Sequence, residues 1–528
     1  MMKLYPVFSD NMILQREKPV AVFGTAKPKE QITVSLKKRQ ASVTVTAEEN
    51  GYFIAYLPPQ QCGEADTLTI SSSDETISYD HILFGEVWYA GGQSNMEFEL
   101  QNAQSGKEEL ALLQKKNGEE AAPIRFYYTE KMPYETEEWK EKIAASCWHD
   151  VRDEQVKHLS AVAYYAAKQV RDQLQVPVGI INCNRGGTSI SCWMSLSYLE
   201  TFEDGRYYIE QYQELVGDKT NEEYLSEMDA YQKILDEYLT KVESLKTSAQ
   251  KEGKTLSGEQ INELAGPYPW PEPQGWLSPY RPGGLFETMV KQVCPYTVRG
   301  IWFYQGEEDS RRYSRYQNML THFISYYRSL WKEELPFMIL QLPMYLEKGQ
   351  KEEGIFAGIR KAQKAVSETV EGVVLVPLCD LGEYDNVHPV DKLTPGTRLG
   401  NMTLERIYEK GLRQKSMQVK GFFSEGGSLA VYFDSGDEPL FLNTAPQGAV
   451  PSLKPLSEAT KGGTSVSGFE IAGADGIFYP AEAIFERGFL LLYAKEVPAP
   501  IAMRYAAKDY IVSNLYNKDH MPLEPYFG

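Results

Sequence analysis

Histidine and cysteine are scarce in this chain of 528 residues, with six of each, and Lys plus Arg fall short of Asp plus Glu by 54 to 73, a formal net charge of −19. Each shortage closes off a class of function. The cysteines form no C-x-x-C pair and no close cluster, which excludes a disulfide scaffold and a thiolate metal site. No two histidines stand at the spacing of a helical zinc site, so neither metal nor other cofactor is expected. The acidic balance argues against nucleic acid and against an anionic membrane as partners. No segment approaches the roughly 20 apolar residues of a membrane span. The opening MMKLYPVFSD lacks the apolar stretch of a secretory signal, so the expectation is a cytoplasmic protein. Oligomeric state is left open.

What is present centres on GEVWYAGGQSNMEF. Val87, Trp88 and Tyr89 read as a buried strand, Gly91 and Gly92 permit a sharp turn, and Ser94 then opens a short helix. This is the logic of a nucleophile elbow, although the G-x-S-x-G pattern is absent. Serine is also a favoured helix cap, so its partners must decide. A serine hydroxyl needs a base, normally a histidine supported by a carboxylate. Of the six histidines only His388, in YDNVHPV, has an aspartate three residues before it, Asp385. Pro389 disfavours a helical conformation at His388.

Two further segments end apolar runs in polar residues. In WFYQGEED a buried strand would deliver Gln305, Gly306 and Glu307 to its end, where open α/β sheets carry chemistry; Gln305 offers an amide donor to an oxyanion. A solvated acidic turn of Glu307, Glu308 and Asp309 explains the same residues. In VPVGIINCNRGGTS a strand runs into Gly186, Gly187 and Thr188, whose glycines either expose backbone amides or make an ordinary turn.

Periodicity suggests the organisation. Residues 1–84 alternate short β-type runs with turns and read as a β-sandwich; residues 85–412 alternate strands with helices, the pattern of a three-layer α/β domain with a mainly parallel sheet; residues 413–528 return to strands that are expected to pack with the first region. A helical insertion is expected at about 201–264, where Tyr224, Met228, Tyr231, Leu235, Tyr238, Val242 and Leu245 recur at steps of four and three. Such a seam is most simply local helix packing, with a lid or an oligomer contact as the other uses. Trp270 and Trp276 in YPWPEPQGW read as a loop bordering a cleft, or as a packed linker.

GQSNM, the GGT loop, YQGE and DNVHP, in this order, resemble the SGNH-hydrolase superfamily, and within it the sialate O-acetylesterase family of carbohydrate esterases. The similarity extends to VFSDNMILQREKPVAVFG, LSAVAYYAAKQV, PGGLFETMV and RYAAKDYIVSNLYNKDHMPLEPY, nearly the whole chain apart from a variable middle. The resemblance implies an SGNH-type α/β/α hydrolase domain with flanking jelly-roll-like β regions. It implies Ser94 as nucleophile, His388 as base and Asp385 as its carboxylate. The oxyanion hole would comprise the Ser94 amide, a glycine amide from Gly186 or Gly187, and Gln305, with Glu307 holding the loop. Arg185 stands where relatives commonly carry tryptophan before GGT, and Glu308 where serine usually follows QGE; both are expected to border the substrate and to bear on the sugar preference. The implied partner is an O-acetylated carbohydrate, from sialic acid to plant xylo- or manno-oligosaccharides. A glycan-binding protein without catalysis is the alternative of a different class.

Overall fold

The computed structural model describes residues 2–115, 122–251, 256, 258–412, 414–435, 438–446, 449–486 and 488–528. Within the insertion expected at 201–264, residues 252–255 and 257 lie outside these, as does Arg413 at the expected start of the last region.

The chain divides into two compact units, one of Met1–Glu130, Lys140–Ile190 and Met289–Gly528, the other of Lys131–Trp139 and Ser191–Thr288. The first is a mixed α/β unit organised by a single long strand, Thr76–Gly92. Its first half pairs antiparallel with Asp66–Ser71. Its second half is flanked by two parallel neighbours, Val178–Asn184 and Gly300–Tyr304. Burial records this change of role: residues 76–81 alternate between exposed and half-buried, whereas residues 84–92 are buried almost without a break. A strand covered on one face alternates, and one covered on both becomes continuously apolar. The domain boundary expected at 84/85 therefore falls inside one continuous strand.

Across the central sheet the strands run in the order Trp148–Asp150, Ile124–Tyr128, Val178–Asn184, Thr76–Gly92, Gly300–Tyr304, Phe337–Leu340 and Val373–Val376. All these pairings are parallel except that of Trp148–Asp150. After Gly92 the chain builds the sheet to one side and then, from Gly300, to the other. The end of Thr76–Gly92 is thus the switch point at which such sheets leave a crevice. Asn184 and Tyr304 are both in register with Gly92, so three strand ends meet flush. Trp88 stacks on Trp302 across this centre, 4.9 Å between rings. Helix Leu393–Tyr408 lies close against helix Ala161–Leu174, because Gly396 and Gly400 meet Val162 and Ala166, whose carbonyls stand 2.7 and 2.8 Å from where a Cβ would be.

The C-terminal strands surround a core that includes Leu429, Leu442, Ile471, Leu490 and Leu515 together with Met344 and Cys379 of the α/β region; that cluster contains none of residues 1–84. Asp509 accepts the N–H groups of Phe356 and Ala357 and so caps helix Ile355–Thr369.

In the second unit, helix Asn221–Lys251 carries the tyrosine seam. Tyr224, Tyr231 and Val242 are buried and Met228, Leu235, Tyr238 and Leu245 half-buried. The segment 268–276 lies along this face: Tyr268 packs edge-on against Tyr238, Pro269 O accepts from the Tyr231 hydroxyl at 2.7 Å, and Gly275 lies against the Tyr224 ring. Trp270 and Trp276 remain exposed. No described helix of the chain is long and apolar enough to cross a membrane.

Candidate active site

Gly92 ends the central strand with φ +140°, and a Cβ there would lie 2.0 Å from Tyr304 O, so only glycine permits the turn. The Gln93 N–H then donates to Tyr304 O at 3.0 Å, and Ser94 begins the single turn Ser94–Glu97. His388, on the loop after Val373–Val376, brings Nε2 to 2.8 Å from the Ser94 hydroxyl. Serine and histidine, 294 residues apart in sequence, are therefore within proton-transfer distance. Burial, reinforced by the positive charge of Lys392 and opposed by the carboxylate of Glu97, pushes the imidazole down to about 4. It is held neutral, able to accept a proton.

Asp385 is not part of this contact. The residue is exposed, with φ +62°, and its carboxylate accepts the Lys348 N–H at 2.7 Å. The turn leading to His388 is tied by another carboxylate, Glu383, which accepts from Asn386 Nδ2 at 2.8 Å and Val390 N at 3.1 Å. The spacing of three between Asp385 and His388 thus corresponds to no hydrogen bond.

The amide of Gln305 is engaged by protein groups at both its nitrogen and its oxygen. It is fully buried, and its amide nitrogen donates to Asp309 Oδ2 at 2.6 Å and to Thr188 O and Gln93 Oε1 at 3.2 Å each. Its amide oxygen accepts from the Tyr316 hydroxyl at 2.8 Å. With two N–H bonds and three acceptors, the amide is committed to joining the GGT loop, the serine turn and its own loop. Gln93 completes the tie, its Oε1 also accepting from Gly306 N and Glu308 N at 3.2 Å. Asp309 further accepts the Ile190 N–H at 2.8 Å.

On the GGT loop, the Arg185 N–H donates to Gly92 O at 3.1 Å and the Thr188 hydroxyl to Arg185 O at 2.7 Å. The Gly186 N–H donates to the Glu97 carboxylate, and a Cβ on Gly186 would lie 3.2 Å from Ser94 Cβ. Gly187 has φ +69°. Glu308 is exposed, with Arg312 3.9 Å from its carboxylate. Glu307 is buried, which pushes its carboxyl up, and accepts from Asn95 Nδ2 at 2.5 Å.

Sequence reasoning missed Gln93, Asn95, Glu97, Asp309 and Lys392. All five lie within four residues of Ser94, Gln305 or His388, and polar side chains so close to the serine turn and its neighbouring loops are a signal in themselves; which of them would be buried depends on strands far away in the chain.

Residues 273–408 match the family model described as carbohydrate esterase, sialic acid-specific acetylesterase, a span that holds Gln305, Asp385, His388 and Lys392. The sialate O-acetylesterase of Mus musculus is 24% identical over 426 residues, covering 74% of this chain and 71% of that protein. That of Homo sapiens is 23% identical over 427 residues, covering 74% and 68%. The fold is similar to the crystal structure of a carbohydrate acetylesterase from Xanthomonas citri, with TM-score 0.72 at 22% identity, over 100% of this chain and 99% of that one. The motif resemblance thus extends to an independent match in sequence and in fold.

Proposed function

We propose that this relative of the sialate O-acetylesterases is a hydrolase that removes acetyl groups from an O-acetylated carbohydrate through an acetyl-serine. The observation that carries the reading is the 2.8 Å contact between His388 Nε2 and the Ser94 hydroxyl at the switch point of a parallel sheet. His388 takes the hydroxyl proton as Ser94 attacks the acetyl carbonyl; the same proton passes to the departing sugar oxygen. Water, activated by His388, then hydrolyses the acetyl-serine and releases acetate. The oxyanion is received by the N–H groups of Ser94 and Gly187. The Gly186 N–H is taken by the Glu97 carboxylate. Glu97 offsets the imidazolium charge, and Asp385 holds the loop at Lys348. The arrangement is read as an SGNH-type three-layer domain, with the β-rich ends as sandwich-like, jelly-roll-like flanks.

The match to the sialate O-acetylesterases favours an acetylated sialic acid; Arg185, beside Gly186 of the loop packed on Ser94, is the cation that would meet its carboxylate, since Arg312 already faces Glu308 and Asp309. The test measures acetate release by wild type and Ser94→Ala from acetylated sialic acid, xylo-oligosaccharides and manno-oligosaccharides. Ser94→Ala should lose on the order of 10⁴-fold or more of the wild-type rate while keeping its circular dichroism. A folded variant that retains most of its activity overturns the nucleophile assignment.

A further inference from the structure

The acetyl-transfer chemistry makes no use of the buried amine beside it. Lys392, four residues after His388, is 2% exposed and stands at the N-cap of helix Leu393–Tyr408. Helix stability does not explain a cation there, since the dipole at a helix N-terminus opposes positive charge and burial adds to the cost. Its surroundings suit a cation instead. Nζ donates to Asn95 Oδ1 at 2.6 Å and lies 4.7 Å from the centre of the Phe98 ring.

Asn95 follows the serine directly, and Val387 precedes the histidine. Asn95 Nδ2 donates to Val387 O at 2.9 Å and to Glu307 Oε1 at 2.5 Å. One amide thus joins the nucleophile turn to the base loop across 292 residues of chain. An asparagine whose oxygen faces an amine presents its nitrogen on the other side, so the lysine selects the orientation that makes both bonds. The charges facing Lys392 are the carboxylates of Glu307, Asp391 and Glu383; those facing the imidazole are Lys392 and Glu97. Burial, against those three carboxylates, brings the amine down to about 7, so it is charged throughout the acid range in which the imidazole titrates.

We propose that Lys392 is a positioning residue for the Ser94–His388 pair, locking Asn95 as the bridge between the two loops and opposing charge on the imidazole through its own ammonium. This rests on reading Ser94 and His388 as nucleophile and base. The test uses the full chain as wild type, Lys392→Met and Lys392→Gln, with melting curves as the check on folding. The His388 ring is titrated by NMR, and kcat is followed against pH on a chromogenic acetyl ester. Lys392→Met should lower the plateau kcat by roughly 10- to 100-fold, the scale of a misplaced reacting group, and raise the pH at which the imidazole protonates. Lys392→Gln keeps a donor for Asn95 without the charge, so it should retain more of kcat while the imidazole still titrates at the higher pH. A merely structural lysine would not separate the two readouts. An imidazole midpoint unchanged in either folded variant overturns the proposal. If Lys392→Met does not fold, Lys392→Gln decides alone. Wild type that releases no acetate defeats the nucleophile reading instead, and the NMR titration still reports on the lysine.

Discussion

The serine site and the tyrosine face of helix Asn221–Lys251 are both assembled from polar side chains, yet they are specified in opposite ways. Along the helix, Tyr224, Tyr231 and Tyr238 recur every seven residues and meet a single neighbouring segment, so local periodicity is enough to orient them. Around Ser94, Gln93, Asn95, Glu97, Gln305 and Lys392 come from three distant stretches, and each bonds to at least one of the others or to a neighbouring loop. The helix face tolerates the loss of one hydroxyl, because ring packing remains. The site does not, because a deleted amide leaves several buried partners unpaired at once.

Gln305→Ala should break that contrast most sharply. It removes the tie between three loops, so turnover on an acetyl ester should fall by roughly 10²-fold through misplacement, and stability by about 1–3 kcal/mol for the unpaired buried groups. Kinetics and thermal melting on one preparation decide it. Turnover lost with the melting temperature intact would restore an oxyanion role.

The pH profile of wild type carries the next largest effect. Because the imidazole is pushed down to about 4, the neutral base persists as pH falls below the ordinary histidine value of about 6.5, and is lost only as pH approaches the lower figure. At pH 5 the enzyme should retain most of its plateau kcat/KM, where an unperturbed histidine would leave roughly a thirtieth. A midpoint near 6.5 would contradict the site's burial.

Asp385→Asn sharpens the comparison inside the site itself. A carboxylate bonded to Lys348 N and not to the imidazole should cost less than about 10-fold in kcat, against the roughly 10⁴-fold expected when a triad carboxylate is lost. A loss on that larger scale would show that Asp385 reaches His388 during turnover. Tyr231→Phe is the smallest case. Losing the bond to Pro269 O should cost about 0.5–1.5 kcal/mol of stability, read as a lowered melting temperature with kcat unchanged.

The sequence by itself determined the strand Val87–Tyr89, the glycine turn, the serine–histidine pair and the inward face of the long helix, because each follows from a local pattern: a continuous apolar run, a residue free to adopt positive φ, a scarcity that leaves one histidine with an aspartate nearby, or a seven-residue period. Only the tertiary structure decided which carboxylate serves which loop. The spacing of three pointed to Asp385, yet its carboxylate bonds Lys348 N while Glu383, two residues earlier, ties the turn. The same holds for Gln305 as a tie between loops and for Lys392 as a buried amine. Their bonds go to Thr188, Asp309 and Asn95, and all but the Asp309 bond span more than a hundred residues. Burial and hydrogen-bond partnership at such a site belong to the packed sheet and its loops together, and no short window of sequence contains them.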